Sequence, residues 1–198
     1  MSGTPSDSDL QRIIDRARGG DTRAFEELAR REERALFRHA MRIVGTTSDA
    51  EDVVQDALLS AWRSISSFQG TSFRAWLFRI ATNRALDRLR VRKRRPELPL
   101  DPPEGDEELT WAEPAAPGPD LSDLAGDREA LVLVEAALGT LPAEQRTALL
   151  LRDVEGFAYE EIASITSVEI GTVKSRIHRG RLAVRNALIA RGWRGPGG

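Results

Sequence analysis

Seven prolines fall within residues 96–121, and across residues 96–129 eleven acids stand against a single base, Arg128. A segment of this make-up does not fold alone. Proline interrupts helices and strand ladders, like charges keep the chain extended, and too little apolar surface is present to offset conformational entropy. The chain therefore divides into two blocks, and both read as helical. Apolar residues recur at three- and four-residue spacing, and the alternation of a strand is absent. The sequence predicts an all-α protein of two small helical domains, over 1–95 and 124–191. A flexible acidic linker joins them over 96–123, and a glycine-rich mobile tail covers 192–198.

In the first block Leu10, Ile13, Ile14 and Ala17 form a short amphipathic helix closed by Gly19 and Gly20. Asp21 caps a second helix, whose apolar face runs from Phe25 to Val44 and stops at Gly45. Ser48 and Glu51 have capping-box spacing, and Val54, Leu58, Ala61 and Ile65 make the stripe of the helix that follows. After a turn-prone stretch with Gly70, a long helix begins near Phe73, passes through Leu77, Ala81, Ala85 and Leu89, and ends at Pro96. The second block predicts helices over 124–138, 142–155 (closed by Gly156), 159–165 and 170–189.

The net charge of −2 hides a partition. Residues 84–95 carry seven bases against Asp87 alone, and residues 171–194 carry seven bases and no acid. Two polyanion-seeking patches are thus separated by an anionic strap. The absence of cysteine excludes disulfides, thiolate nucleophiles, cysteine metal sites and thiol-based oxidant sensing, and suits a reducing cytosol. His39 and His178 are the only histidines and lie far apart, so neither a metal site nor a cofactor is expected. The first residues lack the basic-then-apolar pattern of a signal peptide, and no apolar run reaches bilayer length; a soluble, cytoplasmic chain without membrane insertion is expected.

The last two helices have helix-turn-helix spacing: AYEEIASI, the turn TSVE, then IGTVKSRIHRGRLAV. On a helical wheel Val173, Ile177, Gly180 and Val184 share the buried side. Lys174, Ser175, His178 and Arg179 face the other way, with Arg176 on the flank and Thr172 near the helix start. Long cations neutralise phosphates or grip guanine edges, and short polar groups reach bases in the major groove. A merely solvated basic face is the plainer alternative.

The helix from Phe73 mixes aromatics with Arg79, Arg84 and Arg88, and sets Asn83 two turns beyond Trp76. Aromatic faces stack unpaired bases, an amide reads a base edge, and arginines hold the backbone, so this surface suits single-stranded or extruded nucleotides. Phe78 is assigned to the core; Trp76, Arg79 and Asn83 lie between core and platform. Asp49, Asp52, Gln55 and Asp56 give the preceding helix an acidic exterior that repels DNA. It reads equally as a solvated face or as a docking surface for a basic protein.

Taken together, SDAEDVVQDALLSAW, FRAWLFRIATNRALDRLR, LPAEQRTALLLRDVEGFAYEEIA and GTVKSRIHRGRLAVR resemble the extracytoplasmic-function (ECF) sigma factors, over roughly residues 20–95 and 125–190. The resemblance implies core RNA polymerase and promoter DNA as partners, with an anti-sigma factor as a further one, and no enzymatic activity. It implies that Asp49, Asp52, Gln55 and Asp56 dock on the polymerase clamp helices and that Trp76 and Asn83 serve melting and capture of the downstream element. By the same resemblance Lys174, Ser175, His178 and Arg179 read the upstream element, and the acidic linker threads toward the RNA-exit channel. The chain departs from the family at Thr166-Ser167, where Leu-Gly is common, at Glu169, where Pro is common, and in a slightly short loop over 68–72. Two rival classes are an ordinary helix-turn-helix regulator that needs no polymerase, and a metal-dependent hydrolase built on the acids near Asp52.

Overall fold

The computed structural model describes residues 7–70, 72–94 and 128–191. The expected linker, the stop at Pro96, the first residues of the helix expected from 124 and the tail from 192 lie outside the described residues. Every regular element described is helical.

In the N-terminal half, α1 (Asp7–Arg18) leads into α2 (Thr22–Val44). Asp21 starts α2 as expected: its carboxylate accepts the Ala24 N–H at 3.1 Å, and that bond, with Arg16, holds the carboxyl below its usual range. Gly45, at φ 84°, stops the helix by donating its N–H to the Met41 carbonyl. The expected capping box at Ser48 is displaced. The left-handed Gly45 delivers the chain straight into an extended Thr46, whose hydroxyl accepts the Asp49 N–H at 3.3 Å, so Ser48 already lies inside α3 (Thr47–Ser64).

A short 3₁₀ turn, Ile65–Ser67, and the loop after it lead to α4 (Phe73–Arg94). Ala50, Ala57 and Ala61 on α3 and Ala81 and Ala85 on α4 are fully buried. Such small side chains let helix axes approach closely, while Leu28, Leu36, Leu77 and Phe78 fill the remaining core.

The C-terminal half contains α5 (Arg128–Thr140), α6 (Ala143–Leu149), α7 (Tyr159–Thr166) and α8 (Ile170–Ala190). One continuous helix was expected over 142–155. Instead α6 widens into a π-turn, Leu150–Val154, closed by the Glu155 N–H on the Leu150 carbonyl at 3.0 Å. Leu149, Leu150 and Leu151 are all buried, a run of three that a helix tolerates only where neighbours cover more than one side. The two halves pack together: α7 lies on α4, and α2 meets α5 and α6.

The turn between α7 and α8 is built without glycine. Ser167 stands at φ 56° and ψ 41°, the left-handed region, and is the only non-glycine residue with positive φ among those described. A side chain there costs about 1–2 kcal/mol, which glycine avoids at some cost in unfolded-state entropy. Ser167→Gly should therefore stabilise the C-terminal half by about 0.5–1 kcal/mol, read as a rise of a few degrees in Tm by calorimetry. A fall in Tm would show that the serine hydroxyl has a compensating role.

His39 on α2 is 1% exposed and shares a 3.0 Å hydrogen bond with the Thr82 hydroxyl of α4. Burial, reinforced by the charges of Arg42 and Arg74, pushes its pKa down to about 3. A depressed folded-state pKa gives stability that is whole above the unfolded value near 6.5 and is lost as pH falls toward the folded value. Acidification from pH 7 to 5 should cost about 2 kcal/mol through this group. Urea melts of His39→Gln, which cannot titrate, should lose that portion of the pH slope; an identical slope would assign acid sensitivity elsewhere.

Candidate nucleic-acid interface

Helix α8 is fixed from below. Val173, Ile177, Gly180, Val184 and Leu188 are buried, and the first four are those that the wheel placed inside. On the outer side Lys174, His178 and Arg179 are exposed, while Thr172, Ser175 and Arg176 are partly covered. The Ser175 hydroxyl donates to the Thr172 carbonyl at 2.9 Å, and Arg179 turns back along its own helix, donating to the Ser175 hydroxyl at 3.2 Å. Lys174 sits 6.0 Å from the centre of the Tyr159 ring on α7, which also carries the Arg152 guanidinium at 4.7 Å. None of Lys174, Arg176 and Arg179 forms an ion pair among the described residues, so their charge stays available to an outside anion.

Arg181 behaves differently. Both its Nε (2.9 Å) and Nη2 donate to the Asp153 carboxylate, whose side chain is only 1% exposed. The π-turn brings that carboxylate under α8, and the two-pronged bond pins the helix in rotation as well as position. Sequence reading counted Arg181 in the cationic patch and gave Asp153 no role. Nothing local signals a pair 28 residues apart.

On α4, Trp76 is half-buried and belongs to an aromatic cluster, with ring centres 5.0 Å from Phe68 and 5.7 Å from Phe73. Phe25 and Trp62 extend that cluster into the core. Arg79 and Asn83 are exposed, and Trp76 and Asn83, seven residues apart, fall on one side of the helix. Phe68, Gly70, Trp76 and Arg79 line one wall of a cleft of about 450 Å³. Arg84 points elsewhere: it donates to the Ser60 hydroxyl of α3 at 3.1 Å and lines a separate groove with Asp49, Asp56 and Arg88.

The acidic exterior of α3 is partly neutralised from within. Arg88 donates to Asp49 at 2.6 Å and to Asp52 at 2.7 Å, and Arg92 lies 3.5 Å from Asp49. The Arg88 bond holds the Asp49 carboxyl below its usual range and raises the guanidinium's own pKa. Gln55 and Asp56 remain exposed. Among the described residues no group of three or more His, Asp or Glu is placed to hold a metal, and no helix is long and apolar enough to cross a membrane.

Residues 28–95 match the family model for Sigma-70 region 2, and residues 131–184 match that for Sigma-70, region 4. The chain is 36% identical over 185 residues to the RNA polymerase sigma-H factor of Pseudomonas aeruginosa, covering 90% of this chain and 93% of that one. The ECF RNA polymerase sigma-E factor of Escherichia coli K12 is 35% identical with the same coverage. This chain belongs to the ECF sigma factors.

ECF RNA polymerase sigma factor SigE of Mycolicibacterium smegmatis is 38% identical over 83% of this chain, which spans 62% of that longer relative. Among solved structures, that of CnrH in complex with the cytosolic domain of CnrY aligns at TM-score 0.64 and 27% identity, covering 91% of this chain and 97% of that one. The sigma factor RpoE of Bartonella quintana, solved with the anti-sigma factor NepR, aligns at TM-score 0.62 and 28% identity, covering 83% and 96%. In this ECF sigma factor α2–α4 correspond to region 2 and α5–α8 to region 4, while α1 precedes the region 2 match.

Proposed function

We infer that this ECF sigma factor binds core RNA polymerase and directs promoter-specific initiation, with no covalent chemistry of its own. In this reading region 4 takes paired upstream DNA through Thr172, Lys174, Ser175, Arg176, His178 and Arg179. Region 2 holds unpaired bases of the downstream element through Trp76, Arg79 and Asn83, with Arg84 supporting from the flank of α4. Asp49, Asp52, Gln55 and Asp56 dock the polymerase. Domain limits at 1–95 and 124–191, a cytoplasmic site of action and an anti-sigma partner complete the assignment.

One observation carries the reading: an α8 face where Lys174, Arg176 and Arg179 have no carboxylate partner among the described residues, on a chain alignable with sigma factors along nine-tenths of its length. A cation already neutralised inside the fold contributes little to phosphate attraction, whereas Lys174, Arg176 and Arg179 keep theirs. An ordinary helix-turn-helix regulator would have no use for the region 2 surfaces.

Run-off transcription with purified chain, core polymerase and a promoter library tests the assignment, and core-dependent transcripts are expected. Replacing Asp52 and Asp56 with Lys should weaken affinity for core polymerase while sparing duplex binding; unchanged core affinity would remove α3 as the docking face. Arg179→Ala should cost about 1–3 kcal/mol of upstream-element affinity and relax discrimination at one base position. If affinity falls evenly on every sequence, Arg179 grips phosphate instead.

A further inference from the structure

Helix α8 carries no acid of its own, yet one of its cations is neutralised. On the helical wheel Arg181 stands two turns beyond Lys174 and only about 20° around the axis from it. It therefore continues the row that Lys174 and His178 begin, at the edge where the outer face meets the buried stripe of Ile177 and Val184. The side chain nonetheless turns inward. Its Nε and Nη2 both donate to the Asp153 carboxylate, which reaches α8 from the π-turn, 28 residues earlier in the chain. The guanidinium is largely covered and the carboxylate almost wholly so.

Stability alone does not account for this pair. Withdrawing two charges from water costs about as much as their attraction restores, and uncharged side chains of similar volume would fill the space as well. The seat of α8 has other supports. Val173, Ile177, Val184 and Leu188 are buried, and Gly180 lets the helix approach α6 so closely that a Cβ would meet the Gln145 carbonyl and a Leu149 methyl at 3.5 Å. What the carboxylate does change is the number of cations that α8 offers to a polyanion. A cation that meets a phosphate adds affinity for every duplex alike, because phosphates carry no sequence. Discrimination comes from base edges, so a surplus phosphate contact raises the background against which they are read.

We propose that Asp153 is a positioning residue for duplex recognition: it withholds Arg181 from the DNA backbone, so that binding is left to the outward cations of α8, Lys174 and Arg179 foremost. This rests on the assignment of the outer face of α8 to paired upstream DNA. Asp153 itself touches no DNA. It acts through Arg181, by keeping a sequence-blind contact from forming.

Fluorescence anisotropy of the full chain over a salt series tests this with two labelled duplexes. One carries the upstream element of a promoter returned by the run-off library, and the other has a scrambled sequence. Asp153→Asn keeps the shape of the side chain and removes its charge. Affinity for the scrambled duplex should rise on the order of eightfold near about 0.1 M salt, and the logarithmic salt slope should steepen by about 0.9, the increment of one phosphate contact. Affinity for the upstream element should rise less, because base contacts there fix how α8 lies and the helix cannot resettle around a new phosphate. Discrimination between the two duplexes therefore falls several-fold.

Adding Arg181→Gln to Asp153→Asn leaves a neutral amide pair in the same space and removes the surplus cation. Salt slope and scrambled-duplex affinity should then return to those of the unmodified chain. Glu144→Gln, the same change of net charge on α6, should move neither. An unchanged slope in Asp153→Asn, or an equal steepening in Glu144→Gln, would overturn the proposal. So would a loss of Tm and of binding to both duplexes that the double variant does not recover, since that pattern belongs to a purely structural pair. A chain that initiates with core polymerase and prefers its upstream element, yet fails these tests, keeps its function and loses only the withheld cation. One that prefers no duplex in the library loses the assignment of α8 itself, and this inference with it.

Discussion

A carboxylate withdrawn from water demands a cation, and in this chain that demand sorts the arginines. Asp153, almost wholly covered, takes Arg181 and with it the orientation of α8. Glu155, also covered, takes Arg74, and the more exposed Asp49 and Asp52 share Arg88. What each surface offers outward is what remains after these claims: Lys174, Arg176 and Arg179 on one helix, Arg79 on another. A net charge near zero is therefore compatible with local cationic faces, because many acids are spent internally or lie in the segment between the regions.

Much of this was legible in the order of the residues. The caps at Asp21 and Gly45 and the inner face of α8 follow from short-range rules, since each depends on groups within a turn or two. Ser48 was misread for an equally local reason: Thr46 competes for the same helix start, and the left-handed glycine before it decides between them. Illegible were the pairings across elements. Nothing near Asp153 announces Arg181, and nothing near Arg74 announces Glu155, because such contacts depend on how helices stack. The π-turn is of this kind too, since leucines at 149–151 fit an ordinary helix until the surrounding packing is known.

Trp76 illustrates how a structural and a functional reading can both hold. Its ring is anchored among Phe68 and Phe73, which fixes it in place, while its partial exposure leaves a face toward the cleft. A platform for stacking needs that rigidity, because a freely rotating ring would lose conformational entropy on each encounter. Arg84, by contrast, is drawn to α3 by Ser60, and its side chain lies in the groove with Asp49, Asp56 and Arg88 rather than beside the aromatic cluster.

The π-turn before Glu155 amounts to one surplus residue accommodated inside a helix. Deleting any single residue from this stretch would wind it back to ordinary pitch and swing Asp153 by about 100° around the axis, away from its guanidinium. Neighbouring leucines would rotate out of the core at the same time. Length here is thus as constrained as chemistry: substitutions on the outer face of α8 leave its seat unchanged, but a one-residue deletion in the π-turn beneath would re-aim the whole helix.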